Sequence, residues 1–147
     1  MAILRKVTAT VAGAAAIGAL GVVTAATADA SPTPCDAKAR ACLQIHTNQA
    51  WLMNAGHVIY GPVPVKTGKP GARTPQGRFT VQYKDIDHYS KQFNGPMPYS
   101  VFFTDTGVAF HEGSLTVASN GCVHLSHAAA VKFYQTLHVG DAVQVVP

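Results

Sequence analysis

The spacing of apolar residues divides this chain into segments of different character. Residues 7–23 form a small-residue apolar run behind Arg5 and Lys6, and Ala28-Asp29-Ala30 closes it with the small-x-small pattern that a signal peptidase cuts. This predicts a signal peptide over residues 1–30, cleaved after Ala30, and an exported product with no stable membrane anchor. The run is rich in Ala and Gly rather than Leu or Ile, which argues against a retained spanning helix. Pro32-Thr33-Pro34 before Cys35 is not the small apolar box of a lipoprotein signal. Residues 31–42 read as a linker of Pro, Ala and charge, and residues 43–147 as one domain.

From Leu43 onward the period is that of short strands. Leu43-Gln44-Ile45-His46 alternates, residues 50–53 are apolar, and Asn54-Ala55-Gly56 supplies a turn before Val58-Ile59-Tyr60, which together predict a hairpin. Residues 62–67 alternate Val with Pro and Lys, as an edge strand does. Residues 68–77, rich in Gly and Pro, form a loop into a strand at 78–83, and the aperiodic stretch 84–98 predicts a second loop of the kind that binds ligands. Strands at 99–104 and 108–110 join at Asp105-Thr106-Gly107. Ser126 caps a helix carrying Ala128, Val131, Phe133, Tyr134 and Leu137 that ends before Gly140, and residues 142–146 close as a strand. About seven strands and one helix imply a mainly β fold, a barrel or sandwich with a helix packed beside it.

Composition narrows the functional classes. The formal charge is +4 at pH 7, and losing Arg5, Lys6 and Asp29 with the leader lowers it by one. Such a positive charge suits an anionic extracellular matrix and is too weak and scattered to indicate a nucleic-acid partner, so none is expected. Three cysteines in an exported chain leave either a free thiol or an intermolecular bridge. Cys35 and Cys42, close together in sequence, are expected to bridge in an oxidising compartment and pin the start of the mature chain, which leaves Cys122 as a free thiol.

The candidate chemistry lies between Phe110 and Leu125. A thiol has an ordinary pKa of about 8.5 and needs a neighbouring base to act as a nucleophile at neutral pH. His111, at a strand end, is the expected base. Gly121 before Cys122 permits backbone geometry denied to other residues and brings amides toward the oxyanion of a tetrahedral intermediate. Ser119 either hydrogen-bonds that loop or fixes its turn.

Ser119-x-Gly121-Cys122-Val123 behind a strand-borne His111 resembles the signature of the L,D-transpeptidase (YkuD-type) catalytic domain, a family that remodels bacterial peptidoglycan. Val65-x-Thr67-Gly68-Lys69, Arg73-Thr74-Pro75-x-Gly77-x-Phe79, Met97-Pro98-Tyr99 and Val139-Gly140-Asp141-x-Val143 resemble its other motifs in the same order, over residues 43–147. The resemblance implies that Cys122 attacks a peptidoglycan stem tetrapeptide, His111 accepts its proton, and the main-chain carbonyl of Glu112 orients the imidazole. D-Ala then leaves, and a neighbouring stem amine resolves the acyl-enzyme to a 3→3 cross-link, or water resolves it to a trimmed peptide. It also implies acylation by carbapenem-type inhibitors, and no metal or organic cofactor. A monomer is expected.

The chain departs from the family pattern at named positions. Only eleven positions separate His111 from Cys122, Asn120 stands where a second histidine is frequent, and His124 where Arg or Asn is common, so the surroundings of the thiol differ from the family's norm. Ser119, Asn120, His124 and Tyr99 are the candidate substrate contacts, with Tyr83, Arg73, Lys69 and His88 as weaker ones. The alternatives are a zinc site from His111, Cys122 and His124, a cell-wall-binding module without turnover, and a buried structural thiol at Cys122.

Overall fold

A computed structural model describes residues 33–147. The expected signal peptide and its cleavage point lie outside the described residues. The elements are β1 (Ala41–Gln44), β2 (Gln49–Asn54), β3 (His57–Pro64), β4 (Gly77–Thr80), β5 (Tyr83–Ser90), β6 (Gly95–Phe102), β7 (Ala109–Glu112), β8 (Val123–Leu125), α1 (His127–Thr136) and β9 (Ala142–Val146). They form a five-stranded sheet ordered β3-β2-β1-β9-β4 and a four-stranded sheet ordered β5-β6-β7-β8. The fold is therefore mainly β, as expected, and of the two architectures considered it is the layered one, since the sheets do not close into a barrel.

The period-2 pattern explains how the layers meet. Ala41 and Leu43 of β1, Ala50 and Leu52 of β2, and Val143 and Val145 of β9 turn to one face and join Val101, Phe110, Val123 and Leu125 of the second sheet in a single apolar core. Helix α1 packs against β6, β7 and β8 through Ala129, Ala130 and Phe133. Phe133 meets Phe110 at 5.1 Å between ring centroids. Its start follows from Ser126, whose hydroxyl accepts the Ala129 N–H at 3.3 Å and so satisfies one of the amides a helix leaves unpaired. At its other end Lys84 donates to the Leu137 carbonyl at 2.8 Å and lies over the Tyr134 ring. A cation at this end suits the helix dipole.

Residues 33–40, expected as a linker, instead cover the outer face of the first sheet. Ala39, Cys42, Trp51 and Met53 form a second apolar cluster there, with Cys35 packed against it and joined to Cys42 by a disulfide. Arg40 donates to the Met53 carbonyl at 2.9 Å, the Asp36 N–H donates to the Gln144 side chain at 2.9 Å, and Asp36 pairs with Arg78.

The stretch 84–98 is not a loop. β5 and β6 are an antiparallel hairpin in register from Tyr83↔Phe102 to Ser90↔Gly95. Pro96 and Pro98 are tolerated because β7 pairs with β6 only at Val101 and Phe102, so the proline-bearing half of β6 has a partner on one side alone. The three-residue β8, also unanticipated, pairs in parallel with β7, with His111 opposite His124. Its other edge is closed by the segment after β3, where the Lys66 and His124 main chains exchange hydrogen bonds at 3.1 and 2.8 Å.

Candidate active site

Parallel pairing of β7 and β8 brings His111, on β7, near Cys122, the residue that leads into β8. Gly121, at φ +126°, makes the turn that delivers Cys122. A side chain would be strained at that angle. The turn is held from both sides. Ser119 donates its hydroxyl to the Cys122 carbonyl at 2.5 Å and accepts the Gly121 N–H at 3.0 Å. Thr74, buried at 3 % exposure, donates to the Gly121 carbonyl at 2.8 Å and accepts the Gly68 N–H at 3.0 Å. Ser119 thus fixes the turn, one of the two roles considered for it. Because its hydroxyl takes the Gly121 N–H, that amide is committed within the turn and does not supply an oxyanion contact.

His111 is buried, and its Nδ1 lies 2.7 Å from the carbonyl oxygen of Glu112. A carbonyl only accepts, so Nδ1 carries the hydrogen and Nε2 keeps its lone pair. Burial outweighs that contact and lowers the His111 pKa from 6.5 to about 4, with the neighbouring His124 and His88 adding to the fall. The ring is therefore neutral near pH 7, in the state a base requires. Burial pushes the Cys122 thiol up, against a counteracting contact from the Ala109 amide, so the sulfur is a thiol and not a preformed thiolate. The S–H points toward the Gly107 carbonyl at 3.8 Å.

Two recesses meet at Cys122. A cleft of about 670 Å³ runs along the β5–β6 hairpin, lined by Arg73, Tyr83, His88, Phe93 and Gly107 among others, and a smaller one of about 200 Å³ reaches His111, Ser119 and His124. Asn120, Met97, Ser90 and Phe93 border both. The hairpin, expected as a loop, thus forms one wall of the larger recess.

Of the candidate contacts, Ser119, Asn120 and His124 lie at the recesses and Tyr99 does not. Tyr99 packs edge-on against His127 at 5.6 Å and Tyr134 at 5.9 Å, on the helix side of the sheet. Its backbone is left-handed, φ +57°, which breaks the alternation of faces along β6. Lys69 is absent from the lining of either recess and Arg73 is present. The His124 ring stands edge-on to His111 at 4.9 Å, with Nδ1 2.9 Å from the Ser114 carbonyl. A Cβ at Gly113 would lie 2.7 Å from that ring, so glycine is what admits the imidazole. Sequence reasoning placed Thr74 in a family-like motif but gave it no role in the site, because its Gly- and Pro-rich surroundings read as a loop. Among the described residues no group of three or more His, Cys, Asp or Glu is arranged to hold a metal ion.

Comparison with known proteins shows the family of the fold that carries this site. The model of the YkuD family, described as the L,D-transpeptidase catalytic domain, matches residues 38–145. The L,D-transpeptidase (Yku) from Stackebrandtia nassauensis superposes with a TM-score of 0.70 at 26% identity, over 84% of this chain and 62% of its own. An L,D-transpeptidase solved in complex with imipenem superposes at 0.65 with 25% identity, over 72% of this chain and 57% of its own. An L,D-transpeptidase from Xylanimonas cellulosilytica shares the fold at a TM-score of 0.70 and 22% identity, over 79% of this chain and 64% of its own. The chain thus spans about three fifths of the length of these structures. No curated protein matches it. With the family's pattern covering most of the chain and its fold reproduced in both sheets, the protein belongs to the YkuD family of L,D-transpeptidase catalytic domains.

Proposed function

We propose that the protein is an exported peptidoglycan L,D-transpeptidase that forms 3→3 cross-links through an acyl-enzyme on Cys122. The observation that carries this reading is the delivery of the Cys122 thiol by a left-handed Gly121 to the junction of two recesses, one of which also holds a neutral His111 with its Nε2 free. His111 takes the thiol proton as sulfur attacks the donor carbonyl carbon. The C–S bond forms, the C–N bond to D-Ala breaks, and His111 returns the proton to the departing amine. The Cys122 N–H, which has no protein acceptor among the described residues, faces the developing oxyanion. The acceptor amine of a second stem peptide then displaces sulfur. A neutral dyad suits this order of events, since one proton travels out to the first leaving group and another comes back to sulfur.

The test is intact-protein mass spectrometry with a carbapenem, followed by a stem tetrapeptide. Wild type gains the adduct, Cys122→Ala does not, and His111→Gln gains it on the order of 10²-fold or more slowly. A folded, reduced wild-type protein that stays unmodified refutes the reading. Release of tripeptide with no cross-linked product in the presence of an acceptor would make it a carboxypeptidase instead.

A further inference from the structure

The large recess holds a second imidazole on the hairpin side of Cys122. His88 lines it, with Nδ1 3.0 Å from an Asp85 carboxylate oxygen three residues earlier in β5. The ring stands edge-on to Phe102 at 4.9 Å, and the opposite strand partner of Phe102, Tyr83, stacks on it at 4.2 Å. Phe102 belongs with Met97 and Ala109 to the small apolar cluster against which Cys122 packs. The carboxylate and the aromatic ring therefore hold the imidazole at the wall of the space that opens on the sulfur. The carboxylate takes the Nδ1 hydrogen and leaves Nε2 as the free, basic nitrogen.

Proton counting shows what such a group does if the protein is a transpeptidase, the reading on which this inference rests. A basic acceptor reaches the acyl-enzyme as an ammonium, R–NH₃⁺, and leaves as an amide, so it must lose two protons. One restores the Cys122 thiol. The other has no destination on His111, which handles a single proton and which burial makes a poor holder of one drawn from an ammonium.

We propose that His88, oriented by Asp85, is a second catalytic base that deprotonates the acceptor ammonium before it attacks the thioester. His88 Nε2 takes the first proton, giving R–NH₂ and an imidazolium paired with Asp85. The amine nitrogen then forms its bond to the acyl carbon, the C–S bond breaks, and the second proton passes from nitrogen through His111 to sulfur. His88 releases its proton to solvent. The two imidazoles divide the work, His111 serving sulfur and His88 serving the incoming amine.

A competition experiment tests this. The full chain is given a blocked stem tetrapeptide donor with ethylamine and 2,2,2-trifluoroethylamine together at neutral pH, and the two amide products are counted by mass spectrometry. Ethylamine arrives protonated, whereas trifluoroethylamine, being weakly basic, arrives neutral and has no first proton to give. His88→Gln is expected to lower the ratio of ethylamide to trifluoroethylamide by on the order of 10²-fold. Asp85→Asn, which leaves the ring but removes its orienting charge, lowers the ratio in the same direction by less. Both products form in one tube on one enzyme, so partial unfolding cannot change their ratio. An unchanged ratio in both variants overturns the role of His88. Failure of the wild type to form either amide, with carbapenem acylation intact, overturns it too, while failure of acylation itself removes the transpeptidase reading beneath it.

Discussion

The Nδ1 of His111 and the carbonyl oxygen of Glu112 belong to residues adjacent in sequence and lie 2.7 Å apart, so the imidazole is oriented by its own strand. No carboxylate is needed to fix the tautomer. The cost is that the ring sits in the sheet's interior, where charging it is unfavourable.

That cost makes stability depend on pH. In the unfolded chain the imidazole protonates below about 6.5, but in the folded protein only below about 4. Between these values the unfolded state binds the extra proton, so stability falls as pH falls across that window, by about 3 kcal/mol in all. Urea melts of wild type should lose stability from pH 6.5 to 4 by this amount. In His111→Gln the slope over the same interval should be markedly shallower.

Partial burial of the half-buried Cys122 holds its thiol above the ordinary value. Alkylation of Cys122 by iodoacetamide should therefore be slow at neutral pH and still rising above pH 9, with a midpoint higher than that of an unfolded cysteine control. A midpoint near 6 would indicate a preformed thiolate–imidazolium pair and contradict the neutral dyad.

Two residues hold the turn that carries sulfur. Gly121→Ala places a side chain at φ +126° and should cost roughly 1–3 kcal/mol, with a larger fractional loss of carbapenem acylation than of secondary structure. Thr74→Val keeps the shape but strands the Gly121 carbonyl and the Gly68 N–H, at about 1–3 kcal/mol. Chemical denaturation and acylation rates on the same samples check both.

The disulfide between Cys35 and Cys42 closes a short loop, and reducing it should destabilise the fold by about 2–3 kcal/mol. Thermal melts with and without reductant measure this. Because the bridge lies on the outer face of the first sheet, acylation at temperatures below the melt should persist in Cys35→Ser.

Much of this site is legible in the amino-acid sequence because its chemistry is local there. An odd cysteine preceded by glycine, with a histidine eleven positions upstream, marks the candidate nucleophile and base once the surrounding motifs are seen to resemble the family's. The hairpin beside it is hidden for a physical reason. Most of β5 is half-buried or exposed on both faces, so residues such as Asp85, Asp87 and Tyr89 carry no clean alternation. β8 is paired on both edges, by β7 and by Lys66, and buries Val123 and Leu125, but three residues are too few to show a period. Tyr99 reads as a cleft residue because aromatics serve core and cleft alike, and its left-handed backbone cannot be inferred from neighbours that read as a continuous strand.

The place of β9 carries a consequence for how the chain acquires its shape. This strand lies between β1, with which it runs parallel, and β4, so residues near 143 must find partners about a hundred positions earlier in β1 and roughly two thirds of that distance back in β4. Pairings so distant in sequence are slow to form, because a long loop must close before any contact compensates for its entropy. A chain emerging from its N-terminal side can assemble the β1–β2–β3 meander and the β5–β6 hairpin early, but the first sheet stays split until residues 142–146 arrive. The last strand, five residues long, is therefore the piece that joins β4 to the rest of the first sheet.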